Sequence, residues 1–225
     1  MAKVKNREEL ERRLARRIGK AHGEALKQLL DFLGDPPTWD DVPQDFWETS
    51  GKALRGAIGP IMEEIYLLQA ETLLEEFGGI GVDWDLVNQA AADWAREHAR
   101  DLVNELQTNS YEQARLAVAD FYEQGLTMED LEAKLGRIYG PTRAETIAVT
   151  EVTRAATEGE RGVVDDLAQL GIKMIEFWAT ENDDLVCVIC GPRNEKREGD
   201  GWTKSDGPPA HPKCRCWVNH EMEAT

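Results

Sequence analysis

The sequence predicts a mainly α N-terminal region of long helices followed by a small α+β C-terminal module. Three observations carry that expectation. Apolar residues recur every three or four positions through the first 170 residues. A short β-branched and aromatic run follows Gly171. Every cysteine of the 225-residue chain falls in one cluster, Cys187-x2-Cys190…His211-x2-Cys214-x-Cys216.

The helical elements follow from spacing and punctuation. Leu10, Leu14, Ile18, Ala21, Ala25, Leu29 and Leu33 lie on one face of an amphipathic helix over Asn6 to Leu33, and Gly34-Asp35-Pro36-Pro37 ends it. Leu54, Ile58, Ile61, Ile65, Leu68 and Thr72 mark a second helix that stops at Phe77-Gly78-Gly79. Gly59-Pro60 inside it predicts a kink or a restart. Val87, Ala91, Trp94, His98, Leu102 and Leu106 mark a third, which Asn109-Ser110 is expected to break or cap. A further helix then carries Ala114, Ala117, Val118 and Phe121 to Gly125. Thr127-Met128-Glu129-Asp130 resembles a capping box and opens a short helix through Leu131, Leu135 and Ile138. After Gly140-Pro141-Thr142 a last long helix runs through Ile147, Val163 and Leu170, with Gly171 as its C-cap.

Beyond Gly171, Lys173 to Ala179 reads as a strand leading to the cysteine knuckle, and Cys216-Trp217-Val218 reads as a closing strand. The segment between Gly191 and Pro209 is rich in Gly and Pro and is expected to be loop. These shifts divide the chain into a helical N-terminal region (1–107), a second helical part (108–171) and a Cys/His module (172–225).

Composition excludes some functions. Hydrophobic residues make up 41% of the chain, enough for a folded core. Lys plus Arg number 26 against 43 Asp plus Glu, a net charge of −17 that repels phosphate backbones at long range and argues against non-specific DNA binding. No run of 18 apolar residues and no apolar leader core occurs, so a soluble chain made in a reducing cytoplasm is expected. That compartment favours metal over disulfides for the four cysteines.

Thiolate and imidazole are the ligands that Zn²⁺ takes in closed four-coordinate sites, and a C-x2-C knuckle brings two sulfurs to one ion. Cys187, Cys190, His211, Cys214 and Cys216 are therefore five candidate ligands for four positions. Cys187 and Cys190 form the firmest pair. If Cys214 and Cys216 share a strand face, both sulfurs point inward and His211 is left outside. A disulfide framework, four buried free thiols and a site that has lost its metal are the competing readings. A structural zinc fits the energetics of a module of about 50 residues with few large apolars, because zinc binding stabilises small finger peptides by about 10–16 kcal/mol. Trp178 and Trp217 flank the cluster and are expected to pack over it. A catalytic zinc would need an open position and a carboxylate base. Glu195 and Glu198 lie in the intervening loop, with nothing in the sequence to bring them to the metal.

The segment Arg143-Ala144-Glu145-Thr146-Ile147-Ala148-Val149-Thr150-Glu151-Val152-Thr153-Arg154-Ala155, followed by Gly159, Gly171, Trp178, Ala179, Cys187-Val188-Ile189-Cys190 and His211-Pro212-Lys213-Cys214-Arg215-Cys216, resembles the phage head-morphogenesis domain of the Mu F-like minor capsid proteins. The resemblance covers roughly residues 100–218. It implies a minor head protein of a tailed bacteriophage, located in the virion near the portal vertex after assembly in the host cytoplasm. It further implies binding to the portal protein and a role in head assembly, DNA packaging or DNA delivery. Major capsid or scaffolding protein and packaged DNA are further partners it suggests. The thiol and imidazole ligands match the family's Cys-x-x-Cys and His-Pro-x-Cys-Arg-Cys positions, and no catalytic residue carries over. The alternative is a zinc-dependent enzyme, a nuclease or an ADP-ribosyltransferase-like effector delivered with the DNA. Glu221-Met222-Glu223 matches the Glu-x-Glu pair of some ADP-ribosyltransferases only formally.

Other residues have plainer readings. Arg12, Arg13, Arg16, Arg17 and Lys20 form a basic patch, either a solvated helix face or a docking site for an acidic portal surface or DNA. Glu151 and Arg154 are spaced for an i,i+3 ion pair. His22 and His220 have no local partners in the sequence.

Overall fold

The computed structural model describes residues 3–78 and 81–223. Five helices precede a two-stranded antiparallel sheet: α1 (Arg7–Leu33), α2 (Phe46–Glu76), α3 (Trp84–Gln124), α4 (Met128–Ile138), α5 (Pro141–Gln169), β1 (Met174–Ala179) and β2 (Trp217–Met222). The expected class, long helices followed by a small α+β module, is the one observed. No helix among the described residues is long and apolar enough to cross a membrane.

Neither an expected restart at Gly59-Pro60 nor an expected break at Asn109-Ser110 is present. Helix α2 starts at Phe46 and runs unbroken through Pro60. Proline removes one N–H, which frees the carbonyl four residues earlier. That carbonyl, on Gly56, accepts a hydrogen bond from Arg17 Nη2 at 3.4 Å. Phe46, at the start of α2, is buried and packs edge-on against Trp47 at 4.9 Å. Helix α3 likewise continues through Asn109-Ser110. Asn and Ser disfavour helix interiors because their side chains compete for backbone groups. Here the competition is absorbed: Ser110 Oγ donates to the Leu106 carbonyl at 2.7 Å, and Arg143 donates to both Ser110 Oγ and Asn109 Oδ1.

The expected stops hold elsewhere. Thr127 and Asp130 form a reciprocal capping box at the start of α4. Gly171 takes φ +84°, and the Ile172 amide returns to the Leu167 carbonyl to close α5. Of the predicted stop Phe77-Gly78-Gly79, Gly79 lies outside the described residues.

The chain forms two compact units, neither contiguous in sequence: 1–11, 61–95 and 146–225 form one, and 12–60 and 96–145 the other. The divisions expected near 107 and 171 do not coincide with these boundaries, because α1, α2, α3 and α5 each contribute to both units. In the second unit, Leu29, Leu33, Phe46, Ala114, Leu131 and Leu135 form the core. His22 is buried there, edge-on to Tyr139 at 5.7 Å, and burial followed by the Arg143 charge lowers its pKa to about 4.

In the first unit, Leu73, Val87, Val163 and Leu167 pack together, and α5 meets α2 through glycine. A Cβ at Gly159 would overlap the Tyr66 carbonyl, and one at Gly162 would overlap the Tyr66 hydroxyl. Beside this contact lies a buried polar group that the sequence did not reveal. His220 of β2 sits between two carboxylates, Nδ1 lying 3.1 Å from Glu160 Oε2 and Nε2 3.7 Å from Glu176 Oε2. Both carboxylates face the ring nitrogens and favour the charged imidazolium. Gln69 Nε2 donates to Glu160 Oε1 at 2.6 Å, and Arg161 donates to Glu176 from Nε and Nη2. Burial opposes charge on the imidazole, but the two carboxylates outweigh it and raise the pKa of His220 to about 9.

Two outcomes follow. Gly159→Ala lowers stability by about 1–3 kcal/mol, read by urea denaturation, because the new methyl meets backbone and not a movable side-chain end. His220 has a folded pKa above its ordinary 6.5, so its contribution is complete below that value and is lost as pH rises through about 9. The thermal midpoint falls between pH 7 and pH 10, and the fall shrinks in a His220→Gln, Glu160→Gln double variant.

Candidate metal centre

The ligand-type side chains come from two turns in the long connection between β1 and β2. Cys187 and Cys190 flank the first turn, closed by the Gly191 amide on the Cys187 carbonyl at 2.9 Å. His211 and Cys214 flank the second, closed by the Cys214 amide on the His211 carbonyl at 3.1 Å, with Lys213 at φ +60°. Arg215 clamps the two segments by donating to both carboxylate oxygens of Asp183 at 2.7 and 2.9 Å.

All five predicted ligands converge, as two triads that share Cys190: Cys187, Cys190 and His211, and Cys190, Cys214 and Cys216. His211 Nε2 lies 3.1 Å from Cys187 Sγ and 3.3 Å from Cys190 Sγ, and Cys190 Sγ lies 3.8 Å from Cys214 Sγ. In a tetrahedral site with metal–sulfur bonds of about 2.3 Å, two sulfurs stand about 3.8 Å apart. The cluster could therefore hold a metal ion. His211 Nδ1 lies 2.8 Å from the Pro212 carbonyl, which makes it the protonated nitrogen and leaves the Nε2 lone pair aimed at the sulfurs. His211 is thus not left outside, although Cys214 and Cys216 are both buried as the alternation argument required. β2 begins only at Trp217, so the second turn is free to bring His211 to the first triad.

The sulfurs are electrostatically linked. Hydrogen bonding to Cys214 pushes the Cys190 thiol up, and donation from Cys190 and Cys216 pulls Cys214 down to about 2. A cation among them replaces that shared proton and relieves the conflict between neighbouring thiolates.

Trp178 packs on the cluster as expected and is fully buried with Cys190, Cys214, Cys216 and Val218. Trp217 does not. It alternates with Cys216 and Val218 and lines the outer face of the sheet. Its expected place is taken by Trp202, whose ring lies 5.2 Å from Trp178 and whose Nε1 donates to the Lys196 carbonyl. Glu195 and Glu198 are not at the cluster. The Glu195 amide bonds to the Trp178 carbonyl and the Glu198 amide to the Glu176 carbonyl, which holds that segment along β1.

Three supporting residues were not recognised as such from sequence. Thr153 Oγ1 donates to the Cys214 carbonyl at 2.7 Å, and Thr150 Oγ1 accepts from the Lys213 amide at 2.9 Å. Arg7, at the start of α1, donates to the Arg215 carbonyl at 2.6 Å, to the Cys214 carbonyl at 3.3 Å and to Thr153 Oγ1. The two threonines stand three apart on α5 and so share a helix face, a spacing that could have marked them. Arg7 carries no such signal. Glu151 and Arg154 form the expected i,i+3 pair at 3.4 Å, with Glu151 buried and not on an open helix surface. Arg12, Arg16, Arg17 and Lys20 are exposed and Arg13 is half-buried, and Arg17 also serves the Gly56 carbonyl.

Comparison with protein-family models, curated proteins and solved structures finds no match to this chain.

The shared position of Cys190 sets an order of effects. Cys190→Ser lowers metal affinity more than Cys187→Ser or Cys216→Ser, each of which leaves one triad whole, as measured by competition with a chromophoric chelator.

Proposed function

We propose that this chain is a minor head protein of a tailed bacteriophage, bound at the portal and acting in head assembly, DNA packaging or DNA delivery. In this reading the Cys/His cluster is a structural, non-catalytic zinc site. The observation that carries the reading is the bonding of the motif's two halves. Thr150 and Thr153, in the Thr-Glu helix of the Mu F-like resemblance, hold the backbone of the His-Pro-Lys-Cys-Arg-Cys turn. Residues 61 and 63 positions apart that resemble one family's motif thus bond as one unit.

Zinc is supported by the donor set, since thiolate sulfur with one imidazole suits a closed tetrahedral Zn²⁺ site better than it suits harder cations. A structural role is supported by burial of Cys190, Cys214 and Cys216 among two tryptophans, where the thiols stand in for part of a small core. The exposed arginines of α1 offer a basic face to an acidic ring, while the net charge of −17 disfavours bulk attraction to DNA.

Elemental analysis of the purified chain, combined with co-purification against the phage portal protein, tests this. The expected result is stoichiometric zinc and retention of the portal, with retention weakened by charge reversal at Arg12 and Arg16. Absence of both zinc and portal binding overturns the reading.

A further inference from the structure

The outer face of the sheet carries a cleft of about 400 Å³ that the metal centre does not use. Its shape follows from strand register. Ala179 pairs with Trp217, and Phe177 pairs with Asn219 on one side and bridges to Arg197 on the other. The segment around Glu195 and Arg197 therefore runs along β1 like a third strand, with β1 between it and β2. Small Ala179 lies between Trp217 of β2 and Glu195 of the third segment, and these three line the cleft together with Phe177 and Glu221. Strands two positions apart are separated by about 9–10 Å, room for one flat group between an indole and a carboxylate.

The Trp217 ring and the Glu195 backbone are both held in place. Trp217 Nε1 donates to Asn219 Oδ1 at 3.1 Å, which fixes the ring. Glu195 occupies a position that the backbone reserves for glycine. The Lys196 amide bonds to the Arg193 carbonyl across a turn in which Asn194 has φ −55°, ψ 131° and Glu195 has φ +61°, the values of a type II turn. The Glu195 amide also bonds to the Trp178 carbonyl while the Trp178 amide bonds to the Lys196 carbonyl, the pattern of a β-bulge whose first residue is ordinarily a left-handed glycine. A glutamate here is strained, and strain at a cleft wall is a pointer to use.

The chemistry of the lining selects the ligand. Three aromatic residues, Phe177, Trp178 and Trp217, and two acidic ones, Glu195 and Glu221, line the space, and no Lys or Arg among the described residues does, while Arg197 borders a separate depression with Lys204. Anionic ligands are thereby disfavoured. Aromatic faces attract cations, most strongly planar guanidinium groups that stack and pair with a carboxylate at once. We propose that this cleft is a binding site for a guanidinium group, stacked on Trp217 and paired with Glu195. Its source is either an arginine side chain of a partner protein or a free guanidinium metabolite.

Titration calorimetry on the full chain tests this with agmatine, the blocked peptide Gly-Arg-Gly, and Gly-Gln-Gly as the neutral analogue. The expected result is saturable binding of a guanidinium probe and none of the glutamine peptide. Tighter binding of the peptide assigns the source to a protein, and tighter binding of agmatine to a metabolite. Trp217→Ala and Glu195→Gly each weaken binding at least tenfold. Glu195→Gly also raises the thermal midpoint, because glycine suits the left-handed turn, so its loss of binding cannot be loss of fold. Absence of saturable guanidinium binding, equal binding of the glutamine peptide, or unchanged affinity in Glu195→Gly overturns the proposal.

Discussion

The convergence of two turns on Cys190 is the constraint on which the C-terminal module depends. The sheet has two strands, and a two-stranded ribbon is marginal in water without something to pack against. What it packs against is made of sulfur and indole: Cys190, Cys214 and Cys216 with Trp178, Trp202 and Val218. Thiols crowded in this way are in electrostatic conflict unless they share a proton or a cation. The same atoms fill a small core and are grouped so that they could hold a metal ion, and they lie in the connection between β1 and β2.

That cluster is joined to the helices through backbone atoms. The turn that presents His211 and Cys214 has its amide and carbonyl groups met by Thr150, Thr153 and Arg7. Side chains on regular elements thus position the ligands without coordinating anything, which ties ligand geometry to the packing of α5 and of the first turn of α1. The glycines of α5 belong to the same design, since Gly159 and Gly162 admit Tyr66 of α2. Between those two glycines, Glu160 and Arg161 enter the buried charge group with His220 and Glu176. A single stretch of α5 serves helix contact and charge burial together.

Opposite faces of the sheet carry different chemistry because strand side chains alternate. Glu176, Trp178, Val218 and His220 point inward, toward charge burial and the sulfur cluster. Phe177, Ala179, Trp217 and Asn219 face the outer cleft. The strained Glu195 stands at the edge of that outer face, and the metal ligands do not contribute to it.

The sequence by itself determined the helical class, the capping box at Thr127, the stop at Gly171, both strands and the five candidate ligand residues, because each is a local pattern of periodicity, capping or spacing. Tertiary structure alone brought Arg17 to the Gly56 carbonyl of α2 and Arg143 to Asn109 and Ser110 of α3, since neither arginine lies near those positions in sequence. It also decided that Trp202 and not Trp217 covers the thiols, that His220 lies between Glu160 and Glu176, and that Cys190 belongs to both triads. Each depends on which distant atom fills a space or neutralises a charge, and one chain's local order does not encode that.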